Sequence, residues 1–151
     1  MPEIYVDADA CPVKEEAARV AKRYGLGVTY VSNTAMRIPE QDGARLVMVE
    51  GQCDAADDWI VEHLSRNDIV ITADIPLAYR SVRAGARVLD FTGRILSEAN
   101  IGNVLATRDL MRELRDAGTV TGGGPPGFQK QDRSRFLHSL DQILQALRRS
   151  L

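Results

Sequence analysis

Short apolar runs that do not alternate constrain this chain more than any other feature. Ile4-Tyr5-Val6, Val28-Thr29-Tyr30-Val31, Leu46-Val47-Met48-Val49, Ile69-Val70-Ile71 and Val88-Leu89 are each bounded by turn residues or acids. Such runs fit strands covered on both faces. The stretches between them have helical spacing. Val13, Ala17, Val20, Ala21 and Tyr24 line one side of a helix that Gly25 and Gly27 stop. Ala55, Trp59, Ile60 and Leu64 give the apolar side of a second helix over 54–65, and Pro76 opens a third that runs to Gly85. Strand–helix alternation with short connections predicts an α/β fold, with a mostly parallel central sheet of about five strands flanked by helices.

At 151 residues one domain is expected, with an α/β core over 1–92 and a helical extension over 93–151. In that extension Asn100 caps a helix through Ala117, with Leu105, Leu110, Met111 and Leu114 inward. A Gly/Pro-rich loop over 121–127 has the composition of a linker, or of a lid whose bare backbone approaches a phosphate. A last amphipathic helix over 132–147 turns Phe136, Leu140, Ile143, Leu144 and Leu147 inward. The 44% hydrophobic and 26% charged content is that of a globular protein rather than a disordered one. No apolar run reaches membrane-spanning length and no signal-peptide pattern opens the chain, so a cytoplasmic protein with no membrane partner is expected. Cys11 and Cys53 lack zinc-ligand spacing, and Cys11 stands among acids that disfavour a thiolate.

The acids follow the strands. Ile4-Tyr5-Val6 runs into Asp7-Ala8-Asp9, and in an extended strand residues i and i+2 share a face. The fourth expected strand, 68–74, ends in Asp74, and the fifth, 87–91, carries Asp90 near its carboxyl end. In a parallel sheet these positions lie at the carboxyl ends of strands, where such folds place their sites. Asp7, Asp9, Asp74 and Asp90 therefore share one rim, and one acid of the second helix reaches it. Asp57 is the first choice for that acid, with Asp54 and Asp58 as alternatives. Clustered carboxylates repel unless a cation or proton lies between them, and Mg2+ or Mn2+ prefers such oxygen donors. The metal-ligand candidates are Asp7, Asp9, Asp57 and Asp74, and the catalytic candidates are Asp7, Asp57, Asp74 and Asp90. Residues 1–90 hold 10 basic and 15 acidic side chains, and residues 91–151 hold 9 basic and 6 acidic, which fits an acidic site followed by a phosphate-holding surface and equally fits solvated helix faces, the commoner case. Asn33, Lys14, Arg37 and Arg133 are candidate substrate contacts, although lone basic residues commonly do no more than solvate a face. His63 and His138 are isolated on helices.

Val6-Asp7-Ala8-Asp9-Ala10-Cys11-Pro12, Ile71-Thr72-Ala73-Asp74-Ile75-Pro76-Leu77-Ala78, Arg108-Asp109-Leu110-Met111 and Gly123-Gly124-Pro125 leading to Asp132-Arg133 together resemble the YaiI/YqxD family of bacterial proteins, over essentially the whole chain. The resemblance implies a PIN/NYN nuclease-like fold. It carries over Asp7, Asp57, Asp74 and Asp90 as the site acids and Thr72 as a bracing, substrate-side threonine. Asp9 is an extra acid relative to that pattern, and the middle-helix acid is Asp rather than Glu. The implied activity is Mg2+- or Mn2+-dependent hydrolysis of RNA phosphodiester bonds. Two alternatives compete with it. One is a haloacid-dehalogenase-like phosphatase with Asp7 as nucleophile and Asp9 as acid/base, although residues 15–129 hold only Lys22 as a lysine. The other is a non-catalytic RNA-binding protein.

Overall fold

A computed structural model of the chain describes residues 2–51, 54–118 and 128–150. Strands β1 (Ile4–Asp7), β2 (Val28–Ser32), β3 (Ala44–Met48), β4 (Ile69–Ile71) and β5 (Arg87–Leu89) run parallel, and β6 (Ile95–Leu96) closes one edge antiparallel to β5. The helices are α1 (Lys14–Tyr24), α2 (Ala55–His63), α3 (Ile75–Arg83), α4 (Ile101–Asp116) and α5 (Lys130–Ser150). The sheet order is β3-β2-β1-β4-β5-β6. The chain starts in the middle, builds outward to β3, then crosses back to β4 and builds the other way. The reversal falls between β1 and β4, the position at which doubly wound sheets open a crevice.

Alternation along β1 divides the core. Ile4 and Val6 pack with Val13, Ala17 and Val20 of the α1 segment and with Phe136, Leu140 and Leu144 of α5. Tyr5, on the opposite face, joins Ile60 of α2, Leu77 and Val82 of α3, and Ile101 and Val104 of α4. The C-terminal helix is therefore half of the cover of one sheet face, and its inward residues are the five that its spacing predicted. Gly25, at φ +68, ends α1 in the left-handed conformation that glycine adopts without strain.

The expected sheet of about five strands gains one short edge strand, and the expectation for α4 is corrected. The sheet has a sixth strand, because Asp90 folds the chain into a tight turn: its Oδ1 accepts the Thr92 N–H at 2.9 Å, the Thr92 hydroxyl at 2.7 Å and the Arg94 N–H at 3.0 Å. Along α4, Leu110 and Met111 are exposed, whereas Ile101 and Val104 are buried. A 16-residue helix runs ~24 Å, while the three-residue strands β4 and β5 run ~10 Å, so only the first turns of α4 lie over the sheet. The Gly/Pro-rich loop 121–127 and Cys53 lie outside the described residues. Cys11 is buried, which pushes its thiol up to about 11 and makes it a packed spectator.

The turn before β6 seats directly on α5. Gly93 has φ +88, and a Cβ there would lie 2.5 Å from the Arg135 carbonyl carbon; the Gly93 carbonyl also accepts the Ser139 hydroxyl at 2.6 Å. Gly93→Ala should therefore destabilise the fold by more than the ~1 kcal/mol of an ordinary positive-φ substitution, and Phe136→Ala by about 3–5 kcal/mol, both read from urea midpoints. Leu110→Ala should leave the midpoint nearly unchanged.

Candidate functional site

The parallel register puts the ends of β1 and β4 side by side. Val6 pairs with Ile71, so the next residues, Asp7 and Thr72, face each other. The Thr72 hydroxyl is fully buried and donates to Asp7 Oδ2 at 2.8 Å. It also accepts the Asp74 N–H at 2.9 Å. Asp74 in turn caps α3, its Oδ1 accepting the Leu77 N–H at 3.0 Å. Pro76 sits in the first turn of that helix, where its missing N–H costs nothing. One hydroxyl thus links the last residue of the central strand to the start of a helix on the neighbouring one. Thr72 braces this site from below; its burial excludes the substrate contact expected of it.

Asp57 completes the group. It lies in the first turn of α2, which packs on β1, β2 and α3. Burial, then the charges of Asp74 and Asp7, raise its carboxyl to about 7, against a smaller lowering by Arg80. Asp57 has no hydrogen-bond partner among the described residues. Asp7 is raised as well, first by burial and then by Asp74 and Asp9, with the Thr72 bond opposing. Asp7, Asp57 and Asp74 therefore act on one another as a group. Of the alternative α2 acids, Asp58 is exposed and pairs with Arg80 at 2.8 Å, and Asp54 is exposed and adds only a minor charge.

The structure places the other predicted residues elsewhere. β1 ends at Asp7, so Asp9 sits in a turn and does not continue the strand's alternation. Its carboxylate accepts the Ser32 hydroxyl at 2.7 Å, the Asn33 N–H at 3.0 Å and the Thr34 hydroxyl at 3.2 Å. Burial works against that charge, but these three donors and Lys14 hold the carboxyl below its usual range. Asn33 thus serves Asp9 through its backbone. Lys14 Nζ reaches the Met36 sulfur at 3.8 Å and contributes its charge to Asp9. Arg37 is exposed and lines a surface cleft beside α1. Asp90 is taken up by its turn and is not among the charges acting on Asp7 or Asp57. Arg133, expected to hold phosphate, instead pins α5 to the start of α1: its Nη1 donates to the Pro12 carbonyl at 2.6 Å and to buried Glu16 at 2.9 Å, and its guanidinium lies over Phe128. Ser32 and Thr34 had not been anticipated. The available signal was a Ser-x-Thr triplet ending the strand next to β1.

Uncommitted carboxylate oxygens remain at Asp7 Oδ1, Asp74 Oδ2 and both oxygens of Asp57. Hard oxygen donors with unrelieved mutual repulsion are the chemistry that a magnesium-class ion satisfies. Among the described residues no group of three or more His, Cys, Asp or Glu side chains is placed to hold a metal ion.

A family model described as "Uncharacterized BCR, YaiI/YqxD family" matches residues 5–146. A UPF0178 protein of Parvibaculum lavamentivorans is 55% identical over 149 residues, covering 99% of this chain and 97% of its own. One from Rhodospirillum centenum is 52% identical, covering 99% of each, and one from Mesorhizobium japonicum is 54% identical over 143 residues, covering 95% and 92%. No solved structure matches the chain. The PIN-like expectation therefore stays with the sequence motifs.

Thr72→Val should leave Asp7 and the Asp74 amide short of a partner and cost about 1–3 kcal/mol, while Thr72→Ser should cost much less; chemical denaturation reads both. The Asp57 carboxyl titrates higher in the folded chain than the ordinary 3.8. Its contribution to stability is complete below that ordinary value and is lost as pH rises through about 7. The metal-free melting temperature should therefore fall between about pH 4 and about pH 7 and level off above, and Asp57→Asn should flatten that fall.

Proposed function

This chain belongs to the YaiI/YqxD family, and from that premise and its acidic rim we propose a Mg2+- or Mn2+-dependent nuclease that hydrolyses RNA phosphodiester bonds. One observation carries the reading. Asp57, without a hydrogen-bond or ion-pair partner for its side chain among the described residues, is raised to about 7 by burial and by Asp74 and Asp7, where the strand order reverses. A structural cluster would be expected to neutralise such charges with arginine or hydrogen bonds, as this chain does for Asp9 and Asp58. Perturbed acids in a crevice mark working sites more often than scaffold.

Asp7, Asp57 and Asp74 would have to draw closer to hold the ion, since as they stand no three such side chains among the described residues are placed for one. When bound, such an ion supplies Lewis-acid charge to a phosphoryl oxygen and an acidified water as nucleophile. Thr72 holds Asp7 through Oδ2, which leaves Oδ1 without a hydrogen bond among the described residues. Asp74 spends Oδ1 on α3 and keeps Oδ2. Asp57, whose carboxyl sits near neutrality without a cation, would be held ionised by a bound one. Arg80, tied to Asp58 at the edge, offers a cation to an incoming phosphate. The phosphatase alternative asks Asp9 to act as an acid, and a carboxyl held low by three donors is poorly suited to that.

Asp7→Asn and Asp74→Asn should each abolish Mn2+-dependent cleavage of single-stranded RNA while leaving far-UV circular dichroism unchanged; a variant that cuts like wild type refutes the assignment. Mn2+ binding, followed by calorimetry, should strengthen up to about tenfold per pH unit below pH 7 and release close to one proton. In Asp57→Asn that proton release should vanish.

A further inference from the structure

Beside Asp74 lies a second feature that the acids do not explain. We infer that the pocket between the start of α3, the turn before β6 and the first half of α4 is a subsite for one nucleotide of the RNA, next to the phosphate cut at the rim. This rests on the nuclease reading above and adds where the substrate's neighbouring unit sits.

The pocket holds about 360 Å3, the small end of the range for ligand sites. Ile75, the residue after Asp74, forms one wall, so the pocket opens one Cα step (~3.8 Å) along the chain from a rim acid. Positions 100, 103, 104, 107 and 108 recur at i, i+3, i+4, i+7 and i+8 and form a single face of α4. Asn100 is structural there: its Nδ2 donates to the Ile95 carbonyl at 3.0 Å and its Oδ1 accepts the Ser97 N–H at 2.8 Å, fixing the helix start against β6.

The remaining polar groups on this face are unspent. Asn103 and Thr107 are exposed and their side chains make no hydrogen bond among the described residues. The Arg94 guanidinium has no ion pair there. Arg108 has only Asp109, its exposed chain neighbour, at 3.0 Å, an arrangement worth little. No carboxylate lines the pocket. The larger cleft beside α1, about 780 Å3, gathers Arg19, Lys22 and Arg37 but shares its walls with Glu15 and Glu40, which would repel a phosphate.

An apolar floor, an arginine with no ion pair among the described residues, a second held only by its exposed chain neighbour, one amide and one hydroxyl match the parts of a nucleotide. Ile75 and Val104 take the flat face of a base. Asn103 and Thr107 reach its hydrogen-bonding edge, where base identity is read. Arg94 and Arg108 hold the phosphate or stack on the ring. The Arg108-Asp109 motif, which the acidic rim leaves without a task, finds one here.

The test is RNA binding by the full chain in EDTA, read by fluorescence anisotropy with labelled single strands of about eight nucleotides. Arg94→Ala and Arg108→Ala should each weaken binding and lower its salt slope by about 1. Asn103→Ala and Thr107→Val should reorder the affinities for oligo(A), oligo(C) and oligo(U). Arg83→Ala, at the far end of α3, should change neither. The subsite is overturned if the wild type does not bind, if the arginine variants bind with wild-type affinity and slope, or if Arg83→Ala loses as much. Because no metal is present, the two readings fail separately. Pocket-dependent binding without Mn2+-dependent cutting sinks only the rim, and cutting with pocket-independent binding sinks only the subsite.

Discussion

A single buried hydroxyl holds the working end of this molecule together. Thr72 donates a hydrogen bond to Asp7 and accepts one from the Asp74 amide, so the end of β1, the end of β4 and the start of α3 are fixed relative to one another. The bond is possible because β1 and β4 run parallel in a register that sets Asp7 against Thr72. It also solves a local problem. An acid ending a central strand is half-buried and would be costly without a donor, and a hydroxyl supplies one without adding charge. An arginine there would neutralise the site instead of bracing it.

The rest of the rim follows from what is left uncompensated. Asp9 and Asp58 are satisfied, one by Ser32, Asn33 and Thr34 and the other by Arg80. Asp57 is not, and its carboxyl rises to about 7. Its neighbour on α2, Asp58, has an arginine partner, whereas Asp57 is left against the charges of Asp7 and Asp74. Under the proposed reading, a bound cation would relieve that repulsion.

The architecture was legible because period and burial agreed. Non-alternating runs such as Ile69-Val70-Ile71 became strands covered on both faces, and Phe136, Leu140, Ile143, Leu144 and Leu147 all turned inward. Misreadings came where tertiary geometry overrode local pattern. Leu110 and Met111 have helical spacing, but α4 outruns the short strands beneath it. Asp90 follows a strand as a site acid should, yet Thr92 and Gly93 make it the hinge of a tight turn. Arg133 carries a charge suited to phosphate, but Glu16, more than a hundred residues away in sequence, claims it. No spacing rule reveals a partner at that separation. The grouping of Asp57 with Asp7 and Asp74 also depended on which way α2 faces, which sequence left open among three acids.

The most direct test of the account is an NMR titration of the Asp57 side-chain carboxyl carbon, with and without Mg2+. The account predicts a midpoint near 7 in metal-free protein, falling well into the acid range when Mg2+ is added, with Asp7 responding alongside it. A midpoint in the ordinary carboxylate range that ignores Mg2+ would contradict it.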